Sequence, residues 1–353
     1  MSMKDKALQV KQDFDDVYEA GKEATYVDLL YGKVRWDYFC YKGYNLDVIK
    51  KIKIPTSIDR GLPSYSYEKC NYMFAEATAL TNADLENFVL QTENMKIALC
   101  EFMFQNCKSL TSAPDIAIKG HLIEIDSMFS GCTALESVPE SYSDLDIYKA
   151  SRVFYGCTKL TSVPPLNWGE KCLSMSGLFN GCTALVNVPQ IDMAANRTVD
   201  SMFYNCSKIT TIPQYNTSEV ETFYRTFYGC SALTTLPALD SSKSTSFYQT
   251  YYNCKKLTTI EGIDFSAATN VNQTFYNCSA LVNLTVVGTI KITGLTFTQS
   301  TQLSHDSLMS IYNALEDKSS VGGTWKLVIG STNLAKLTDE EKEIAINKGW
   351  TVT

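Results

Sequence analysis

The 353-residue chain is poor in the side chains that do chemistry. It has two histidines, His121 and His305, far apart in sequence, and no CxxC pair or Cys/His cluster. A zinc site therefore has no ligand set. There is no G-x-S-x-G, HExxH, P-loop or glycine-rich dinucleotide turn, so the reading is no enzyme and no cofactor. Single carboxylates such as Glu170 or Asp200 read as solvated surface, and a nucleophilic cysteine would lack a neighbouring base. Basic clusters are missing too. Lys50, Lys51 and Lys53 form the one short run, and the formal net charge is −7. Phosphate binding needs a basic stripe, so no nucleic-acid partner is expected. No apolar run approaches the roughly 18 residues that would span a bilayer, so no membrane insertion is expected. Residues 1–20 are polar and carry Asp13, Asp15 and Asp16 where a signal peptide would be apolar. That fits a cytosolic chain, one released by lysis, or a mature form with its signal removed, the last disfavoured by the initiating Met1.

Cysteine is abundant, and it arrives on a period. Cys107, Cys132, Cys157, Cys182, Cys206, Cys230, Cys254 and Cys278 are spaced 24 or 25 residues apart. Each follows an aromatic by three residues (Phe104, Phe129, Phe154, Phe179, Phe203, Phe227, Tyr251, Phe275) and precedes an aliphatic by three (Leu110, Leu135, Leu160, Leu185, Ile209, Leu233, Leu257, Leu281). Such a period means a solenoid, in which stacking turns each column into a continuous core. Stacked equivalents lie about 4.8 Å apart with parallel Cβ vectors. Disulfides need closer, crossed geometry, so the thiols should be free and buried. A solenoid offers an extended surface rather than a pocket, which points to binding.

A full copy runs Met128-Phe129-Ser130-Gly131-Cys132-Thr133-Ala134-Leu135-Glu136-Ser137-Val138-Pro139. Degenerate copies at Phe74 and Phe297 bring the count to about ten turns. Phe223, Phe227 and Cys230 fall at i, i+4 and i+7, which predicts a helical turn. The Leu-x-x-Val segment after it should be the strand. Six prolines in one column, Pro114, Pro139, Pro164, Pro189, Pro213 and Pro237, must stand outside its regular ladder. Glu261 and Thr285 replace them in two later copies. Cys70 and Cys100 join a core column four residues before the aromatic; Cys40 and Cys172 fit none.

The expected fold class is an α/β repeat, a leucine-rich-repeat solenoid over 73–303. A helix over 1–24 would precede it, then an aromatic-rich cap over 25–72, and a small α/β cap over 304–353 would follow. In the first helix Ala7, Val10, Phe14 and Val17 form a two-heptad apolar stripe, a candidate homotrimer seam or a helix packed on its cap. Near the C-terminus Ser304 should cap a helix, Trp325–Ile329 and Trp350–Thr353 should be strands, and Thr338 with Glu341 reads as a capping box.

The Phe-x-x-Cys-x-x-Leu-x-x-(Val/Ile)-Pro pattern resembles the BspA-type leucine-rich repeat over roughly Tyr72 to Leu303. Lys11 to Gly21 and Leu334 to Trp350 resemble the leader and closing segment of gut phage and prophage structural proteins. The resemblance implies adhesion, with a protein or glycan of a cell surface as partner, and a virion tail or cell-surface location. A bacterial surface adhesin and a cytosolic inhibitor or scaffold are the other readings. It carries over no catalytic residue.

The candidate binding residues are tyrosines. Tyr155, Tyr204, Tyr228, Tyr252 and Tyr276 each follow the repeat aromatic, and Tyr224 and Tyr248 lie four residues before Tyr228 and Tyr252. Ala75, Gln105, Ser130 and Asn180 stand in the same column elsewhere, so the fold does not demand tyrosine there. Rows of aromatics with polar tips suit protein or sugar contacts, or they simply stiffen the turn by stacking on one another. The strip expected from Tyr155 to Tyr276 is about 20–25 Å long, with a gap at Asn180. The pairs between Leu and Val, such as Thr210-Thr211 and Thr234-Thr235, read as solvated sheet.

Overall fold

The structure, a computed structural model, describes residues 67–69, 71–85, 90–92, 97–118, 122–168 and 171–353. The helix expected over 1–24 with its apolar stripe, nearly all of the cap over 25–72, Cys40 and Cys70 lie outside the described residues. The chain folds as two compact units, Met1–Cys172 and Leu173–Thr353.

In both units the columns stack as the period requires. In the first, the rings of Phe74, Phe104, Phe129 and Phe154 follow one another at 5.0, 5.3 and 6.0 Å with nearly parallel planes. In the second, Phe179, Phe203, Phe227, Tyr251 and Phe275 step at 5.7–5.8 Å, and Phe297 closes the row at 5.0 Å. All of these rings are buried. The ten described cysteines are buried thiols outside any disulfide, Cys172 included.

The thiol column does more than fill space. Cys107, Cys132 and Cys157 donate from Sγ to the carbonyls of Phe74, Phe104 and Phe129 at 3.0–3.2 Å. Cys206, Cys230, Cys254 and Cys278 do the same to Phe179, Phe203, Phe227 and Tyr251 at 3.0–3.1 Å. Each thiol is thus tied to the aromatic of the preceding turn. In the degenerate last copy Ser300 takes the cysteine's place, and its buried Oγ has no partner. A C–O bond is shorter than a C–S bond, so a serine hydroxyl falls short where the thiol reaches.

The predicted helical turn is replaced by something else. Met128, Ser130 and Cys132 donate their amides to the carbonyls three residues back, Ile125, Ser127 and Phe129, at 3.0–3.1 Å. The amides between them point the other way. Ser127, Phe129 and Gly131 donate to Ser151, Val153 and Tyr155 of the next copy at 2.7–2.9 Å. An α-helix would spend every amide inside itself; these consecutive β-turns free every second one to bind the neighbouring turn. The alternation needs left-handed backbone at two positions per copy. One is the residue before cysteine, always Gly or Asn in the regular copies, from Asn106 (φ 58°) and Gly131 (φ 76°) to Asn277 (φ 60°). The other precedes the aromatic by two, as at Ser127, Arg152 and Arg225 (φ 57°, 58° and 54°). Left-handed backbone costs an ordinary residue about 1–2 kcal/mol, which the inter-turn hydrogen bonds must offset.

The strands also lie elsewhere than expected. In the first unit β1 (Tyr67–Lys69), β2 (Leu90–Thr92), β3 (Ile97–Leu99), β4 (Ile116–Ile118), β5 (Leu122–Glu124) and β6 (Ile147–Lys149) are each three residues long. They make a four-stranded parallel sheet in the order β1-β3-β5-β6 and a parallel pair β2-β4. The sheet strands precede the turn instead of following it. The Leu-x-x-Val segments make only single bridges, such as Ser112 to Ser137 and Thr235 to Thr259. They lengthen into strands only at β7 (Thr259–Asp264) and β8 (Asn283–Val287), which pair in parallel. Those strands contain Glu261 and Thr285, where the column proline is lost. Proline withholds its ladder hydrogen bond in the other copies.

The second unit ends in a small α/β arrangement. Helix His305–Ala314 is capped by the Ser304 side chain, which accepts from the Ser307 amide. Helix Asp339–Asn347 opens on the Thr338/Glu341 capping box, and Gly349 follows it at φ 80°. Strands β9 (Trp325–Leu327) and β10 (Trp350–Val352) pair in parallel.

Candidate functional site

The alternation that buries Phe203, Phe227, Tyr251 and Phe275 turns the next residue outward. Backbone bonds hold those positions in register: Asn205, Gly229 and Asn253 donate to the carbonyls of Tyr228, Tyr252 and Tyr276 at 2.7–2.9 Å. The side chains follow. Tyr204, Tyr228, Tyr252 and Tyr276 stack face to face at 4.5, 4.6 and 4.5 Å, with planes within 10° of parallel. All four are half-buried. Their faces cover one another, so what the row offers is its edges and a line of hydroxyls. Burial and the neighbouring phenols Tyr204 and Tyr252 push the Tyr228 hydroxyl above its ordinary pKa, against the opposing charge of Arg225. It stays protonated at neutral pH, able to donate and to accept.

A second row runs beside the first. Tyr224 and Tyr248 stack at 5.2 Å. The Arg225 guanidinium lies 5.0 Å from the first ring and 5.4 Å from the second, within cation–π range. Arg225 Nε donates to Gln249 Oε1 at 2.8 Å, and Gln249 Nε2 donates to Gln273 Oε1 at 2.5 Å. This polar ladder was missed from the sequence. Its signal was there to read: three long polar residues in one column, each lying between the positions of the two tyrosine columns.

Six of the seven candidate tyrosines therefore share one face of the second unit. Tyr155 belongs to the first unit, is 43% exposed, and no described ring of that unit stacks on it. Within the second unit the main row is four rings over roughly 14 Å, at a spacing close to that of strands in a sheet.

The threonine strip is occupied by its own backbone. Thr234 donates from both N and Oγ1 to the Thr210 carbonyl, at 2.9 and 3.0 Å, and Thr258 does the same to Thr234. Its hydroxyls have little left to give a ligand. Burial raises the thiols of Cys132 and Cys278 to about 12, and those of Cys206, Cys230 and Cys254 well above the ordinary value, far from nucleophilic range. Among the described residues no group of His, Cys, Asp and Glu is arranged to hold a metal, and no helix is long and apolar enough to cross a membrane.

Two families match parts of the chain. Residues 72–167 match the BspA type leucine rich repeat region, and residues 173–286 match a Mycoplasma protein of unknown function, DUF285. Their limits fall close to the division between the two units. A solved leucine-rich repeat protein from Bacteroides ovatus aligns at 15% identity over 76% of this chain and 92% of its own, with a TM-score of 0.26. No curated protein matches. Residues 72–167 are thus similar to BspA-type leucine-rich repeats, and the second unit is similar to a family whose function is unknown.

Proposed function

We propose that this chain is a non-enzymatic recognition protein that attaches to a cell-surface partner through the tyrosine face of its second unit. The observation that carries the reading is the four-ring stack, which core packing does not require. Tyrosine supplies contact area with little conformational entropy to lose, and truncating such anchors typically costs 2 kcal/mol or more of binding.

The finer reading is a phage or prophage tail-associated protein contacting a bacterial receptor. Its support is the likeness of residues 11–21 and 334–350 to phage structural proteins, with the Ala7, Val10, Phe14 and Val17 stripe as a homotrimer seam. A bacterial surface adhesin is the second reading, favoured by the repeat family itself.

The test is attachment of the intact chain to bacterial cells and to a glycan array, set against a Tyr228→Ala, Tyr252→Ala double variant. The variant should stay folded and lose most attachment. Unchanged attachment would move the site to the threonine strip or the ends. Sedimentation of the full chain checks the seam, since a monomer at high concentration disposes of the trimer.

A further inference from the structure

We propose that Arg225 is the charged anchor of the tyrosine face and takes a carboxylate, an Asp or Glu side chain of a partner protein, in its guanidinium fork. The inference rests on the reading that this face binds. Elsewhere in the same unit the cations Arg197 and Lys243 sit near Glu221 and Glu219, at 4.0 and 2.7 Å. No described carboxylate lies within 4 Å of Arg225. Asp200, one copy before Tyr224 in the same column, is already taken: Thr222 Oγ1 donates to it at 2.8 Å and the Tyr224 amide also bonds it.

Arg225 is nevertheless held in place. Its guanidinium rests by the Tyr224 and Tyr248 rings, and its Nε is tied to Gln249, which is buried and tied in turn to Gln273. A guanidinium has five N–H donors, so four remain, and both terminal nitrogens keep theirs. Two parallel N–H groups are the match for a carboxylate, and a side chain already fixed loses little entropy on forming the pair. The net charge of −7 does not forbid an acidic partner. At physiological ionic strength charges beyond about 8 Å are screened, so the local cation decides.

The ring geometry selects protein over sugar. Sugars pack on open aromatic faces, and at 4.5–4.6 Å the rings of the main row cover each other. Edges and hydroxyls are left, which suit carboxylates and peptide amides.

A random peptide library selected on the full-length chain tests this. Selected peptides should carry Asp or Glu at a fixed position. Arg225→Gln should weaken them about tenfold or more, and Arg225→Lys, which keeps the charge without the fork, by less. Replacing the peptide's acid with its amide should add little once Arg225 is gone. Should Arg225→Gln melt early, Arg225→Lys carries the comparison. A library that yields no binder, peptides without an acid, or equal binding to Arg225→Gln overturns the proposal. So does Arg225-dependent binding of uronic-acid or sulfated oligosaccharides on an array, which would assign the fork to a glycan. If the Tyr228→Ala, Tyr252→Ala variant loses the peptides and Arg225→Gln keeps them, the face stands and the carboxylate falls. If neither loses them, both fall.

Discussion

Arg152 and Arg225 stand in the same column, two residues before a core aromatic, with the same left-handed backbone. Tyr155 and Tyr228 stand in the next outward column. In the first unit both residues are exposed, with Ser127 and Ser130 as their counterparts one turn earlier. In the second unit both are half-buried, inside ladders of rings and amides. The backbone rungs and the thiol column are common to the two units. What differs is the side chains that repeat beside them. In the column of Met128 and Val153 the second unit begins with Leu178 and Met202 and then turns to Thr226, Thr250 and Thr274, which donate to the carbonyls of Val199, Phe223 and Phe247 at 2.9–3.2 Å. Phe223 and Phe247 fill the column occupied by Ile125 and Ala150 in the first unit, so larger rings are matched by smaller, hydrogen-bonded neighbours. A repeat fixes its interior, and its outward columns are free to become a surface.

If the thiol column is the shared frame, the largest effect should be alkaline and should strike both units. Of the column, Cys107, Cys132 and Cys157 belong to one, and Cys182, Cys206, Cys230, Cys254 and Cys278 to the other. Burial keeps the resolved thiols protonated: Cys132 and Cys278 to about 12, and Cys206, Cys230 and Cys254 well above the ordinary value. Unfolded thiols lose the proton near 8.5. Above that pH the unfolded chain binds fewer protons than the fold, so stability falls as pH rises from there towards the folded values. Each such thiol contributes about 1.4 kcal/mol per pH unit over that window. Hydrogen exchange resolved by peptide should show both units opening above pH 9. One unit holding firm to pH 11 would break the symmetry of the frame.

Next in size, Cys206→Ser should cost about 1–3 kcal/mol by urea denaturation, because it buries a hydroxyl too short to reach the Phe179 carbonyl. Cys132→Ser should cost the same in the first unit. A neutral substitution at either site would mean that the S–H bond contributes nothing. The smallest effect sharpens the difference between the units. Thr250→Val, a near-isostere, removes the bond to Phe223 and should cost about 1 kcal/mol, whereas the first unit already has Val153 in that column. Melting unchanged within error would reduce the threonine column to space filling.

The core was legible because a column of like residues at a fixed period has one place to go. Phe129, Cys132 and Leu135 were assigned inward correctly, as were the Ser304 cap and the Thr338/Glu341 box, whose patterns are local. The path of the turn was not. Spacings of four and three fit a helix and a run of β-turns alike, and only the Gly/Asn column before cysteine distinguishes them. The second left-handed column has no signature at all: Ser127, Arg152, Arg225 and Gln249 share nothing but the turn that holds them. The tyrosine rows were read as a face. The fork beside them shows in sequence only as the polar column of Arg225, Gln249 and Gln273, a pattern that does not tell a pinned guanidinium from three solvated side chains.

The thiol bond runs one way, from each turn to the carbonyl of the one before it. A turn therefore needs nothing from its successor's side chains in that column, only a predecessor with a free lone pair. A gene segment encoding one such turn could be copied or dropped in frame, and the junction would find its acceptor already in place. The cysteine works as a standard coupling, and the number of turns becomes something that inheritance can adjust in whole steps. Each inserted copy of a tyrosine-bearing turn would add one hydroxyl to the row without redesigning those on either side.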